Sequence, residues 1–198
     1  MSAPSPGAPA AGIALAPWEA EVVEVAALRS GVEAVQRVGA ACGEPLPAFG
    51  RVHHGAARLV LCVRPARWLF IAPLTQQIPA VSATRWRQEC AGHAAVTELS
   101  SALAAFILAG SAVRQMLARG CRLDLDHTVF PAGRAAATVM AQVSVTLAAL
   151  PHGMLLLTPA STAQHFAEWL DTAARPFGRA QGVHIQQLLD GETVARQA

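Results

Sequence analysis

The alternation of apolar and polar side chains divides the chain into short blocks, and the spacing inside each block predicts a strand or a helix. A period of two residues, or an unbroken apolar run, favours a strand, whereas a period of about 3.6 residues favours a helix. Two apolar runs that flank a short Pro-containing break are typical of a hairpin. The predicted strands are residues 20–28, 57–63, 68–72, 94–98, 104–110, 135–149 and 154–158.

Four helices are predicted between these strands, each opened by a serine that can cap its first turn. Two of the serines stand three residues before a Glu or Gln, which is the pattern of a capping box. These pairs are Ser30 with Glu33 and Ser161 with Gln164, and the other two helices begin at Ser82 and Ser111. The predicted helix ends are Gly43, Gly92, Gly120 and Pro176.

The predicted elements run β-α-β-β-α-β and then β-α-β-β-α, so one supersecondary pattern occurs twice. This order predicts an α+β fold of two intimately packed βαββα units, about residues 19–98 and 104–178. Each unit is a split βαβ (ferredoxin-like) unit with an antiparallel sheet and helices packed on one face. Residues 1–18 are mostly Ala, Pro, Ser and Gly, so a flexible tail is predicted there, with a C-terminal tail at 179–198.

Residues 135–167 carry no charged side chain, but they are not predicted to cross a membrane. Polar residues alternate with apolar ones along the first part of this stretch, and Pro151-His152-Gly153 then interrupts it. Alternation followed by a turn indicates a β-hairpin rather than a membrane span.

The composition is unusually apolar, with 53% hydrophobic and 14% charged residues. Soluble proteins average about 25% charged residues. This surplus of apolar residues indicates that partner proteins cover part of the surface. The alternative explanation is a genome whose base composition favours alanine. The basic residues support this alternative, because all 15 are Arg and none is Lys.

The charge and cysteine patterns narrow the function classes further. The net charge is +2 and the arginines are scattered without aromatic neighbours, which argues against nucleic-acid binding. No basic residue precedes Arg29, so no signal peptide is expected. The four cysteines form no C-x-x-C pair, which favours reduced thiols in a cytoplasmic protein.

Residues 118–133, ARGCRLDLDHTVFPAG, offer Cys121, Asp124, Asp126 and His127 within a few positions. These residue types bind metals or perform acid–base catalysis, but hard carboxylates and a soft thiol suit different metals. An Asp after a helix more often accepts hydrogen bonds from nearby backbone N–H groups. A structural joint is therefore favoured over a metal or catalytic site.

Three further features are weighed in the same way. His53 and His54 lack other ligands at metal spacing, so a solvated loop is favoured. Trp68 lies in an apolar run and is predicted to pack in the core. Trp86 stands between Arg85 and Arg87, which makes it a candidate interface residue, the alternative being a half-exposed helix position.

The 118–133 stretch also resembles the gamma subunit of heterotetrameric sarcosine oxidase. The pattern is a helix, Gly-Cys-x-Leu-Asp-Leu, a Phe and a Gly three residues later. The matching residues are Gly120, Cys121, Leu123, Asp124, Leu125, Phe130 and Gly133. Weaker matches occur in the same order as in the family, namely Gly43 with Leu46-Pro47, Pro65-x-x-Trp68-Leu69, Glu98-Leu99-Ser100 and 167–170.

The resemblance implies a non-catalytic subunit of a complex that oxidatively demethylates sarcosine to glycine, forms hydrogen peroxide and passes the one-carbon unit to tetrahydrofolate. It implies alpha and beta partners, with a small delta subunit as a further candidate. FAD, FMN, NAD and tetrahydrofolate would bind to those partners, and no cofactor, metal or catalytic residue is expected in this chain. The implied fold is similar to the folate-binding domain of aminomethyltransferases.

Departures from the family pattern leave alternatives open. Arg64 stands where the hairpin usually has Gly, and Ser111 follows Gly110 where Pro is common. A complex for another N-methylated amine is one alternative, and a stand-alone folate or one-carbon binding protein is another. A metal-dependent enzyme that uses Asp124, Asp126 and His127 is a distant third.

Overall fold

Two five-stranded antiparallel sheets form the centre of the computed structural model, which describes residues 12–55, 58–74 and 83–178. The strands are β1 (Ala14–Trp18), β2 (Ala20–Ala27), β3 (Arg51–His54), β4 (Leu59–Arg64), β5 (Arg67–Pro73), β6 (Ala94–Glu98), β7 (Leu103–Ala109), β8 (Ala135–Met140), β9 (Val143–Leu150) and β10 (Gly153–Pro159). The helices are α1 (Val32–Ala41), α2 (Ala83–Glu89), α3 (Val113–Leu117) and α4 (Ala163–Ala174). The predicted α+β class with antiparallel sheets is confirmed.

The first sheet has the strand order β3-β4-β5-β2-β6 and packs against α1 and α2. β2 lies between β5 and β6 and is antiparallel to both, which is the arrangement of a split βαβ unit extended by β3. Both faces of β2 are covered, since Val22 packs towards the second sheet while Val23 and Val25 pack towards the helices. The period-two pattern of this strand therefore divides its side chains between two cores.

The second sheet has the order β1-β7-β10-β9-β8 and packs against α3 and α4. The sequence of this half supplies no strand after α4 within the described residues. β1 takes the place beside β7 that β6 takes beside β2, paired from Ala14↔Ala109 to Trp18↔Ala105. The first strand of the chain thus completes the last unit.

The predicted tail at residues 1–18 was wrong for its final part, which forms β1. Pro17 lacks an N–H group, but it is compatible with this strand because β1 lies at a sheet edge. Ile13 is buried, and its N–H donates to the Gly178 carbonyl at 2.9 Å. Tertiary pairing with β7 overrides a composition that by itself is typical of disorder. Residues 1–11 and 179–198 lie outside the described residues.

The single strand predicted at 135–149 is two strands, β8 and β9. They are joined at Ala141 and Gln142, whose φ angles are +50° and +66°. Two successive residues with positive φ form the tight turn that matches the twist of a hairpin. The residues favoured there are Asn-Gly or Asp-Gly, and Ala-Gln gives no such signal, so the turn could not be recognised.

The predicted serine starts of α1, α3 and α4 were also wrong. α1 begins after Gly31 and α4 after Thr162, and neither has a side-chain cap hydrogen bond. Gly31 packs so closely against the His93 backbone that a Cβ would overlap its carbonyl. α3 begins after Ala112 rather than at Ser111, while Ser82 lies outside the described residues.

The two central tryptophans lie in the core between the first sheet and its helices. Trp68 is 3% exposed, and its Nε1–H donates to the Pro47 carbonyl at 3.0 Å, as expected for a core residue. Trp86 is 4% exposed and its ring centroid lies 4.7 Å from that of Phe70. The interface prediction for Trp86 was wrong, because a side chain buried within its own subunit has no surface to present.

The packing of β1 leads to a prediction for stability. Ile13→Ala is expected to lower the free energy of unfolding by about 2–4 kcal/mol, because it leaves a cavity in a core that collapses only partly. Urea unfolding of the full chain measures this change. Leu28→Ala is the control, since Leu28 is 49% exposed and its loss is expected to change stability by less than about 0.5 kcal/mol. Equal effects of the two changes would show that the N-terminal segment is not packed as described.

Candidate functional site

The segment from Gly120 to Arg134, here called the crossover loop, connects α3 to β8 and carries most of the family-motif residues. At its start, Gly120 lies against Trp169 of α4 so closely that a Cβ would overlap the indole ring. The helix itself ends at the C-cap Ala118, and Gly120 is not among the residues with positive φ. The predicted C-cap role of Gly120 was therefore wrong, and the glycine is required by a close approach instead.

Two aspartates shape the middle of the crossover loop through hydrogen bonds to its own backbone. Asp124 Oδ1 accepts from the Asp126 N–H at 2.9 Å. Asp126 Oδ1 accepts from both the N–H and the hydroxyl of Thr128, at 2.9 and 2.6 Å. The bonds from Thr128 lower the pKa of the Asp126 carboxyl, so it stays ionised at neutral pH. Each carboxylate thus fixes a turn of the loop.

Arg114 of α3 fastens the loop to the helix. Its Nη1 donates to the carbonyls of Leu125 and Phe130, both at 2.7 Å. The side chains of Leu125 and Phe130 are buried in the core of the second sheet, with 3% and 5% of their surface exposed. The half-buried guanidinium of Arg114 therefore holds the two ends of this segment, while the buried side chains of Leu125 and Phe130 attach the segment to the core.

The end of the loop joins the two sheets. Gly133 has φ +83°, its N–H donates to the Ala149 carbonyl in β9, and its carbonyl accepts from Val52 in β3. The Ala135 N–H donates to the Gly50 carbonyl at 3.0 Å, next to these bonds. Only a residue that adopts the left-handed conformation without strain suits this position. Gly133 therefore connects the sheets through backbone hydrogen bonds.

Cys121 lies at the other end, where it forms a bridge with Met140 of β8. Burial raises the pKa of the Cys121 thiol, so the thiol is protonated at neutral pH. A protonated thiol is a poor nucleophile and a poor metal ligand. Leu123, the neighbouring motif residue, packs partly buried against the core of the second sheet.

Motif residues that are distant in the sequence meet in pairs. Gly120 contacts Trp169, which lies in the last matched helix. Trp68 of the hairpin motif donates to Pro47 of the early motif. The Ser100 hydroxyl accepts from the Val22 N–H at 3.0 Å and so fixes the turn before β7. Several of the ordered matches thus lie at contacts between distant parts of the chain.

The candidate ligands do not converge on one point. Within residues 12–55, 58–74 and 83–178, no group of three or more His, Cys, Asp or Glu side chains is arranged to hold a metal ion. His53 and His54 belong to strand β3, paired with Val60 and Leu59, so the predicted solvated loop was wrong there. Nor is any helix in this part of the chain long and apolar enough to cross a membrane.

A cleft of about 440 Å³ opens between α3, the crossover loop and the turn from β9 to β10. Arg114, His127, Ala132 and the exposed turn residues Pro151 and His152 line it. Burial lowers the pKa of the Arg114 guanidinium from its ordinary value, but the group remains charged at neutral pH. The cleft can therefore hold an anionic group.

Sequence reasoning missed Arg114, and its partners explain why. The two acceptors are backbone carbonyls, which every residue possesses, so no side-chain type marks them. Arg114 was one of many scattered arginines. Its position one residue after the buried Val113, at the edge of the apolar face of α3, was the only local signal.

The contact between Gly120 and Trp169 is testable. Gly120→Ala is expected to lower the free energy of unfolding by about 1–3 kcal/mol, because the methyl group must displace the indole ring. In a Trp169→Leu background the same substitution is expected to cost less, since the ring is gone. Chemical unfolding of the four proteins in this double-mutant cycle measures the coupling. Equal costs in the two backgrounds would contradict the contact.

Comparison with known proteins identifies relatives of this arrangement. The chain is similar to a chain of the heterotetrameric sarcosine oxidase from Corynebacterium sp. U-96 in complex with pyrrole 2-carboxylate, with 25% identity and a TM-score of 0.74 over 88% of this chain and 92% of that one. It is also similar to the glycine cleavage system aminomethyltransferase T from Bartonella henselae, with 16% identity and a TM-score of 0.60. That match covers 82% of this chain and 47% of the transferase, and it shows the fold alone.

The predicted likeness to aminomethyltransferases is therefore confirmed at the level of fold. No curated protein sequence matches the chain. The sequence profile described as the sarcosine oxidase gamma subunit family matches residues 31–175, which is more than half of the 198 residues. The chain belongs to the sarcosine oxidase gamma subunit family.

Proposed function

We propose that this chain is the non-catalytic gamma subunit of a flavoenzyme complex that oxidatively demethylates sarcosine to glycine, with formation of hydrogen peroxide and transfer of the one-carbon unit to tetrahydrofolate. The observation that carries the proposal is the family match over residues 31–175, which includes the four helices and the strands from β3 to β10. The similar Corynebacterium protein is itself described as a heterotetramer.

The chemistry of the crossover loop supports a structural role for the motif residues. The Asp124 and Asp126 carboxylates are used by turns of the loop, and the Cys121 thiol is protonated. Gly120 and Gly133 serve a close contact and a backbone connection. We infer that these residues shape the subunit, while FAD, FMN, NAD and tetrahydrofolate bind to its alpha and beta partners. The proposal also includes a small delta subunit as a further partner of this chain.

Exposed apolar side chains support a partner-covered surface. Phe49 is 63% exposed and Val129 is 54% exposed. Phe49 precedes Gly50, which is hydrogen-bonded to the residue that follows the crossover loop, and Val129 lies within the loop. Aromatic and large apolar residues that are exposed in a free subunit are typical of interface cores.

The four cysteines are free thiols, and two of them, Cys62 and Cys90, are buried. Free thiols are usual in the reducing environment of the cytoplasm. We infer a cytoplasmic complex on this ground. In this proposal the substrate binds to a partner subunit rather than to this chain. Another N-methylated amine is therefore an alternative substrate of the complex.

Co-expression of the full chain with the flavoprotein alpha and beta subunits tests the proposal. The chain is expected to co-elute with the flavin absorbance in size-exclusion chromatography and to remain with it through an affinity step on a partner subunit. A matched control is co-expression with an unrelated flavoprotein, from which the chain should separate. Elution of this chain apart from its flavoprotein partners would overturn the proposal.

The folate alternative has a separate test. Likeness of fold to an aminomethyltransferase does not by itself transfer a ligand. Calorimetric titration of the isolated full chain with tetrahydrofolate is therefore expected to give no heat of binding, while the assembled complex gives a binding isotherm. Saturable binding to the isolated chain would instead establish a folate-binding protein.

A further inference from the structure

The cleft between α3, the crossover loop and the β9–β10 turn is lined by cationic and neutral groups. Its titratable lining side chains are Arg114, His127 and His152, and among the described residues no Asp or Glu lines it. His127 and His152 are both exposed at its rim. The lining therefore favours a negatively charged ligand.

Arg114 is held in place before any ligand arrives. Its Nη1 is fixed by the Leu125 and Phe130 carbonyls, each 2.7 Å away. No carboxylate of the described residues lies within ion-pair distance of its guanidinium. Asp126 is the acidic group whose charge reaches Arg114, but its Oδ1 accepts two hydrogen bonds from Thr128. Both hydrogen bonds that Arg114 makes to other described residues use Nη1. The Nε and Nη2 donors of a guanidinium form a fork that suits a carboxylate.

The size of the cleft and the residues at its floor indicate which kind of carboxylate-bearing ligand fits it. A volume of about 440 Å³ greatly exceeds the space of a single small ion, since one water occupies about 30 Å³ in the liquid. Buried apolar side chains form the floor, namely Val113, Leu150 and Met154. A ligand with an aliphatic stem and a charged end fits such a lining better than an inorganic anion does.

We propose that this cleft, the Arg114 cleft, receives an acidic side chain of a partner subunit, with the carboxylate paired to Arg114 between His127 and His152. The inference rests on the proposed function and adds one contact to it. A side chain seated here touches the crossover loop directly, because His127 and Ala132 of that loop line the cleft.

The test places a negative charge at the rim of the cleft without removing Arg114. His152→Asp places a carboxylate beside Arg114, where it competes with the partner and repels it. His165→Asp is the matched control, since His165 is an exposed histidine of α4 that does not line the cleft. His152→Lys places a positive charge at the same position. The binding of each full-length variant to the immobilised, assembled flavoprotein alpha and beta subunits is measured by surface plasmon resonance, at low and high salt.

The expected result is a dissociation constant raised about tenfold or more by His152→Asp, with His165→Asp unchanged and His152→Lys equal to or tighter than wild type. The loss is expected to shrink at high salt. Equal affinities of His152→Asp and His165→Asp overturn the Arg114 cleft while leaving the subunit role intact. If His152→Lys lowers the affinity for the partner subunits as much as His152→Asp does, the Arg114 cleft is overturned too. Side-chain shape rather than charge would then determine the affinity.

A second titration separates a partner side chain from a free carboxylate. The isolated full chain is titrated with glutarate, which carries the same group on an aliphatic stem. Saturable glutarate binding that His152→Asp abolishes, together with unchanged assembly, would assign the cleft to a small molecule and overturn the proposed partner. A wild-type chain that binds no flavoprotein subunit overturns both this inference and the proposed function.

Discussion

The backbone hydrogen bonds of Gly133 hold the two sheets together, and much of the structure depends on them. Gly133 donates to Ala149 in the second sheet and accepts from Val52 in the first. Because Gly133 donates to one sheet and accepts from the other, these bonds fix where the crossover loop ends. The remaining constraints on the loop act upstream: Gly120 fits beneath Trp169, the aspartates fold the turns, and Arg114 closes them.

The path of the chain couples the two halves in a second way. β1 comes first in the sequence but completes the second sheet, and the chain then passes directly into β2 of the first sheet. Side chains from both sheets interlock between them, including Leu61 and Ile71 from one and Ile107 and Leu155 from the other. The two units therefore form one body despite their repeated pattern.

Local patterns in the sequence were sufficient for much of the fold. β2 and β6, and the hairpin of β4 with β5, follow from alternation and a Pro-containing break, because each signal lies within a few residues. β1 and β3 were missed because β1 resembles a disordered tail in composition and β3, Arg-Val-His-His, is short and polar. The partner of β1 is β7, which lies far away in the sequence, whereas β3 pairs with nearby β4 but has no apolar run of its own.

The site shows the same division between local and distant causes. The backbone bonds of Asp124 and Asp126 follow from the tendency of Asp to accept from nearby N–H groups. Trp86 was misread from its arginine neighbours, although Ala83, Trp86 and Cys90 have the spacing of one buried helix face. The role of Gly120 depends on Trp169, and that of Arg114 on two carbonyls, so neither could be predicted from nearby residues.

Native-state hydrogen exchange of the Val52, Gly133 and Ala135 amides tests the central claim, that the crossover loop makes the two sheets one cooperative body. These amides are predicted to exchange only through global unfolding, with the same opening free energy as amides in the central strands β7 and β10. Rapid exchange of the three amides, while the strand amides stay protected, would contradict the claim and show that the loop is a separable surface element.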